Sequence, residues 1–458
     1  MTILEHLADY AISMTEETVP QETQAIAKGF FVDALSCMFL GAECAAVKKM
    51  LPYVQRSGGR GPCIFPGREP VSTDAAYCAM LCAMAAHSGD FDDMSISMNG
   101  HPSALLIPVV FSAGQEHGAS GKDMLLAYMA GVETDAILGR ILQMLGCRKG
   151  VNPTTLIGCF GGAVAAGKLA GLTRKQMVHA LNIVANDAGG LKANFGTTAK
   201  DISIGLAAWK SVFSVACAQA GIDASTDALD GPFGLLESLC GGTVDQSLVH
   251  RMIREHVSDF QAPGLVMKPY PTCRGNHSGI DCITKIMTAH SLTADQIQRV
   301  ICRVDQAAYD TDRYFCPKTP SEAKFSLPYC IAKVICNGEV TIEDFIGETL
   351  NDTRPLSILD RIKVLCVPEI FPDSRFGAEI EVHLTSGEIY REKELYAKGD
   401  PMLPMTEQEI QHKLGACLTR ALGSERSRDA SELLCRFDTV DTASDILKFL
   451  YPEERLSS

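Results

Sequence analysis

Between His87 and Ala104 the chain reads HSGDFDDMSISMNGHPSA, placing His87, Asp90, Asp92, Asp93 and His101 within fifteen residues. A carboxylate beside an imidazole orients the ring and raises its basicity, so that the pair can move protons near neutral pH. Clustered Asp oxygens also suit a hard cation such as Mg²⁺ or Ca²⁺. A solvated, helix-capping loop makes the same pattern without chemistry. All three readings are open at this point.

Two further segments carry fixed positive charge. In KPYPTCRGNHSGID, residues 268–281, Lys268 and Arg274 are cations and His277 titrates, on a stretch shaped by Pro and Gly. Arg offers a planar fork and Lys a point charge, a combination that suits a carboxylate ligand; the competing reading is a surface loop whose cations answer neighbouring acids. Cys273 reads as a packing residue rather than a nucleophile. In NFGTTAKDISIG, residues 194–205, Thr197 and Thr198 can cap a helix and Lys200 follows them. A cation beside a helix N-terminus opposes the dipole, which makes a poor structural contact and a reasonable anion site, against the bland alternative of an exposed Lys.

Other chemistries lack their residues. GCFGGAVAAGK, residues 158–168, is not a phosphate loop, because Leu169 stands where the motif needs Ser or Thr after its Lys. There is no G-x-S-x-G elbow, no H-E-x-x-H and no zinc-spaced Cys/His set.

The elements that must position these residues differ along the chain. At 458 residues the length favours two domains, and 46% apolar with 21% charged residues describes an ordinary folded protein. The net charge of −14 disfavours nucleic acid and anionic membrane surfaces, so an anionic ligand must meet a local positive cluster. The eighteen dispersed cysteines read as reduced, buried thiols. No signal peptide or transmembrane run is recognised, and a cytoplasmic protein is expected. Up to about Gln261 the apolar spacing is helical, with Thr173 and Gln176 forming a capping box. After about residue 265 the texture turns to α+β, with strands expected in IQRVICRV, RIKVLCV and AEIEVHLTSGEIYREKEL. From Thr406, with Glu409 completing another capping box, it returns to helix. The expected fold is mainly α with an inserted α+β domain: a helical domain of residues 1–265 joined by 403–458, and a lid of residues 266–402.

Five segments in order, DFDD followed by HPSA, NPTTLIGCFGGAVAAGKLAGL, FGTTAK followed by GLAA, KPYPTCRGNHSGID and EAKFSLPYCIA, resemble the MmgE/PrpD family over about residues 5 to 450. That family includes 2-methylcitrate dehydratase, cis-aconitate decarboxylase and iminodisuccinate epimerase. The resemblance implies a homodimer with no metal or other cofactor, acting on a small di- or tricarboxylate in a cleft between the domains. It places Asp90, His101, Lys200 and His277 at catalytic positions and Lys268, Arg274, Asn152 and Met94 at substrate-binding ones. Members that decarboxylate cis-aconitate usually carry Thr where this chain has Met94, and His where it has Asn152 and Ser203.

From these residues His101 is expected as base or proton relay oriented by Asp90, Lys200 and Arg274 as carboxylate clamps, and His277 as proton donor. A 2-methylcitrate dehydratase-like hydro-lyase ranks first, with decarboxylase and epimerase as alternatives. Two readings from other classes are a Mg²⁺-dependent prenyl-diphosphate enzyme, suggested by DFDDM, and a catalytically silent scaffold or regulator.

Overall fold

The computed structural model describes residues 1–146, 150–240, 245–261, 264–347, 349–372 and 376–451. Helices dominate, and they build around Ala75–Ser88, which is apolar on nearly every side. Gln21–Gly41, Ser103–His117 and Thr198–Gln219 pack against it. Pro153–Leu169 packs against Gly121–Met144 and Thr198–Gln219, and its small residues permit the close approach. A Cβ at Gly161 would lie 2.4 Å from Asp135 Oδ1, and one at Gly162 would lie 2.4 Å from Ser211 Oγ. The glycines of this run therefore serve packing, as the missing phosphate-loop residues require. Both capping boxes read from the sequence form, at Thr173 with Gln176 and at Thr406 with Glu409.

One hydrophobic cluster gathers residues from Ile3 to Leu265 and again from Leu414 to Tyr451, because Glu407–Leu422 packs on Gln21–Gly41. A second spans Ile280 to Leu384. Its sheet has the order Ile362–Cys366, Ile297–Val304, Ala378–Leu384, Ile389–Glu394. The first pair is parallel and the other two are antiparallel. Helix His277–Ala289 packs on this sheet and against Leu327–Asn337.

The first half is not wholly helical. Cys63–Pro66 pairs with Pro70–Thr73, and Met94–Ser95 pairs with Leu265–Val266. Strands of two to four residues are too short to show a period of two, which is why the sequence hid them. Gln21–Gly41 and Thr198–Gln219 are long and apolar enough to cross a membrane by composition, yet both pack into the helical core. Among the described residues sixteen cysteines are free, whereas Cys240 is disulfide-bonded, correcting the expectation of reduced thiols rather than disulfides.

Candidate active site

Asp90 follows the helix Ala75–Ser88 and adopts φ 54°, a left-handed conformation that Asp tolerates better than most residues. Its carboxylate is buried between two ammonium groups. Lys268 Nζ lies 2.7 Å from Oδ1 and also donates to the Asp90 carbonyl at 3.1 Å, while Lys200 Nζ lies 3.2 Å from Oδ2. Burial alone would raise the Asp90 pKa, but Lys200 and Lys268 overcome it and hold the carboxyl well below the usual range. Lys200 stands in the first turn of Thr198–Gln219, where its charge opposes the helix dipole. Burial works against its charge too, and Asp90 outweighs this, leaving the Lys200 pKa raised. The rings of Phe195 and Phe325 sit 5.9 and 5.2 Å from its Nζ.

A third lysine joins them. Lys324 donates to the Ser88 carbonyl, and burial lowers its pKa against the pull of Asp90 and Asp201. Its segment carried the family resemblance, but nothing in local spacing marks a Lys beside Phe as functional.

The histidine side of the site turns on Asp92. Its Oδ2 lies 2.9 Å from His87 Nδ1 and 3.3 Å from His101 Nδ1. Burial would raise the Asp92 pKa, but the two imidazoles prevail and hold it low. His101 Nδ1 is also 2.6 Å from the Asp93 carbonyl oxygen. A carbonyl only accepts, so Nδ1 carries the proton and Nε2 the lone pair. Burial and then Lys268 push the His101 pKa down to about 3, against Asp92, so the ring is neutral at pH 7. Asp93, buried beneath, is pushed up to about 7 while accepting from Ser103 N at 3.2 Å. The sequence expectation that Asp90 orients His101 is therefore corrected. The Asp93 carbonyl accepts the hydrogen bond of the His101 ring and the Asp92 carboxylate lies 3.3 Å from it, because Asp90 is held by lysines.

His87, Asp92 and His101 could each offer one atom to a metal, all within 4.8 Å of one another. Two imidazoles and one carboxylate form a donor set for a borderline transition ion. The Mg²⁺ or Ca²⁺ reading loses Asp90, whose two oxygens face ammonium groups.

The remaining predicted residues occupy structural positions. Arg274 donates to the carbonyls of Lys398 at 2.9 Å and Ala397 at 3.1 Å, and to His277 Nδ1 at 3.2 Å. The fork expected to meet a carboxylate is thus filled by the chain's own oxygens, which no local sequence signal announces. His277 is fully buried, and its Nε2 donates to the Thr272 carbonyl at 3.2 Å. Burial, Arg274 and Lys268 hold it neutral. Asn152 caps Pro153–Leu169, accepting from Thr154 N at 3.1 Å. It reaches the site indirectly, since Thr154 Oγ1 accepts from His101 N at 3.1 Å. Met94 is buried in the pairing with Val266, and Ser203 donates back to the Ala199 carbonyl at 2.9 Å. Cys273 is buried with its thiol pKa raised well above normal, consistent with packing.

The MmgE/PrpD N-terminal domain matches residues 5–247, and the MmgE/PrpD C-terminal domain matches residues 270–438. The chain belongs to the MmgE/PrpD family. This MmgE/PrpD protein is an enzyme of the lyase class. It is 25% identical over 441 residues to the cis-aconitate decarboxylase of Mus musculus, covering 92% of this chain and 85% of that protein. Against the Homo sapiens cis-aconitate decarboxylase the identity is 25% over 439 residues, covering 92% and 86%. A cis-aconitate decarboxylase of Aspergillus terreus is 26% identical over 239 residues, covering 51% of this MmgE/PrpD chain and 49% of the fungal one.

Proposed function

We propose that the chain is a carboxy-lyase releasing CO₂ from a small tricarboxylate of the cis-aconitate class, with His101 transferring the proton and Lys200 and Lys268 facing the substrate's charge. The observation that carries this reading is the fixed tautomer of His101 beside a buried cluster of lysines. The names of the relatives support decarboxylation ahead of the hydro-lyase ranked first from sequence.

Breaking the carbon–carboxylate bond leaves an electron pair on the carbon skeleton. The pair moves through the adjacent double bond and takes a proton on carbon, so one CO₂ leaves and one proton enters. His101 begins neutral, and the negative charges of a bound tricarboxylate oppose the influence of Lys268 and raise its basicity. It then takes a proton from solvent at Nε2, Asp92 steadies the imidazolium, and Nε2–H delivers the proton to carbon. Lys200 and Lys268 stabilise charge on the substrate's carboxylates in a site where burial strengthens each interaction. In this reading Arg274 and His277 support the loop at Ala397 and Lys398 and do not clamp or protonate the substrate. A helical domain of residues 1–265 with 403–458, a lid of 266–402, a site in the cleft between them, and a cytoplasmic homodimer without metal or cofactor complete the proposal.

A second reading, a 2-methylcitrate hydro-lyase, is favoured by the lone pair on His101 Nε2, which can remove a proton at once. NMR of reactions with cis-aconitate, 2-methylcitrate and iminodisuccinate separates the alternatives. CO₂ release from cis-aconitate supports the carboxy-lyase. Loss of water from 2-methylcitrate alone replaces it with the hydro-lyase, and deuterium exchange in iminodisuccinate alone indicates an epimerase. Binding without turnover, read as a rise in melting temperature, leaves a silent scaffold.

A further inference from the structure

Between Ser88 and Phe91 three backbone carbonyls accept from three distant lysines. Lys324 donates to the Ser88 carbonyl, Lys268 to that of Asp90 at 3.1 Å, and Lys413 to that of Phe91 at 2.7 Å. The first two also answer the charge of Asp90. Lys413 is paired elsewhere, its Nζ lying 2.7 Å from Asp33 Oδ1. It stands on the helix Glu407–Leu422 and Asp33 on Gln21–Gly41, and both side chains are buried. The Lys413 ammonium also sits 4.2 Å from the centre of the Phe91 ring, which packs with Cys37 and Cys417.

A buried ion pair adds little stability that a well-packed apolar pair of similar size would not supply. What Lys413 adds is a fixed donor at one place, the carbonyl of the peptide that leads into Asp92. The residue before that peptide's own Phe91 is Asp90, at φ 54°, and a left-handed residue other than Gly persists only where its surroundings hold it. Rotation of the Phe91–Asp92 peptide would carry the Asp92 carboxylate away from His87 Nδ1 at 2.9 Å and His101 Nδ1 at 3.3 Å. We propose that Lys413 is a positioning residue for the reaction: by holding the Phe91 carbonyl it keeps Asp92 beside His101. The inference rests on the proton transfer assigned to His101 above. Asp33 holds the charge of Lys413, and the C-terminal helix thereby takes part in the site without facing the substrate.

Asp33→Leu combined with Lys413→Met removes both charges together, so that neither is left buried alone. Asp33→Asn combined with Lys413→Gln is a second, more polar pair, and melting curves report that each folds. The assay uses whichever of cis-aconitate, 2-methylcitrate and iminodisuccinate the wild type turns over. In the apolar pair kcat should fall about 10- to 100-fold, the usual effect of losing a group that orients a functional one. KM should stay within about threefold, because Lys200 and Lys268 remain. The polar pair keeps an amide donor near the carbonyl and should lose less. Each pair is then placed in an Asp92→Asn background. Acting through Asp92, it should lower kcat there by no more than about twofold, whereas general loosening of the fold multiplies the separate losses. Multiplied losses, or wild-type kcat in the folded apolar pair, overturn the role of Lys413 and leave the His101 reading standing. Failure of the wild type to turn over any of the three acids overturns that reading, and the role of Lys413 with it.

Discussion

Lys268 Nζ lies 2.7 Å from Asp90 Oδ1, with Lys268 fully buried and Asp90 2% exposed. Removing one partner of such a pair leaves an uncompensated charge away from water, which costs about 3–5 kcal/mol. Lys200 still faces Asp90 when Lys268 is gone, so Lys268→Met should lose about 3 kcal/mol of unfolding free energy, at the low end of that range. Urea denaturation measures it. The same substitution in an Asp90→Asn background should cost less, and equal costs in both backgrounds would show that the two residues are not coupled.

In the proposed reaction Lys200 contributes charge beside the substrate's carboxylates. Lys200→Met should lower kcat/KM by about 100- to 1,000-fold, the usual effect of losing one group that stabilises transition-state charge. Steady-state kinetics on a folded variant checks this, and a change within a few-fold would remove Lys200 from the substrate's surroundings.

Asp93 gives stability a pH dependence of known sign. Burial pushes it up to about 7, against about 3.9 in an unfolded chain. Between those values the folded protein keeps a proton that the unfolded chain has released, so the Asp93 contribution falls as pH rises from about 4 to about 7. His101, pushed down to about 3, slopes the other way between there and about 6.5. Comparing Asp93→Asn with wild type isolates the first effect. The variant should gain melting temperature relative to wild type on going from pH 5 to pH 8, and parallel profiles would contradict the raised pKa.

Chelation bears on the trio His87, Asp92 and His101. If Asp92 serves by its hydrogen bond to His87 and its charge beside His101, prolonged treatment with EDTA leaves CO₂ release unchanged. Loss of activity that Zn²⁺ or Fe²⁺ restores would instead put a metal on those three groups.

The sequence made long-range architecture legible where a local code exists. Capping boxes at Thr173 and Thr406 marked helix starts, and alternation in residues 378–384 and 389–394 marked strands. The three loops carrying His101, Lys200 and Lys268 were also recognisable, because fixed charge and imidazole are uncommon in apolar surroundings. Partner choice was not legible. An arginine in this loop suits a carboxylate, yet carbonyls more than one hundred residues away meet Arg274. Asp90 and Asp92 are nearly adjacent, and only the turn at Asp90 sends one to the lysines and the other to the histidines. Nothing near Lys324 in sequence announces its partner, the Ser88 carbonyl more than two hundred residues away.

The central claim divides the labour: lysines hold the acid and His101 moves the proton. Calorimetric titration of His101→Gln with cis-aconitate, paired with CO₂ release by the same preparation, tests that division directly. Affinity should stay within about tenfold of wild type while turnover falls by about 100- to 10,000-fold, the span attributed to general acid–base groups. Turnover at the wild-type rate, or lost affinity with the rate at saturation unchanged, would contradict it.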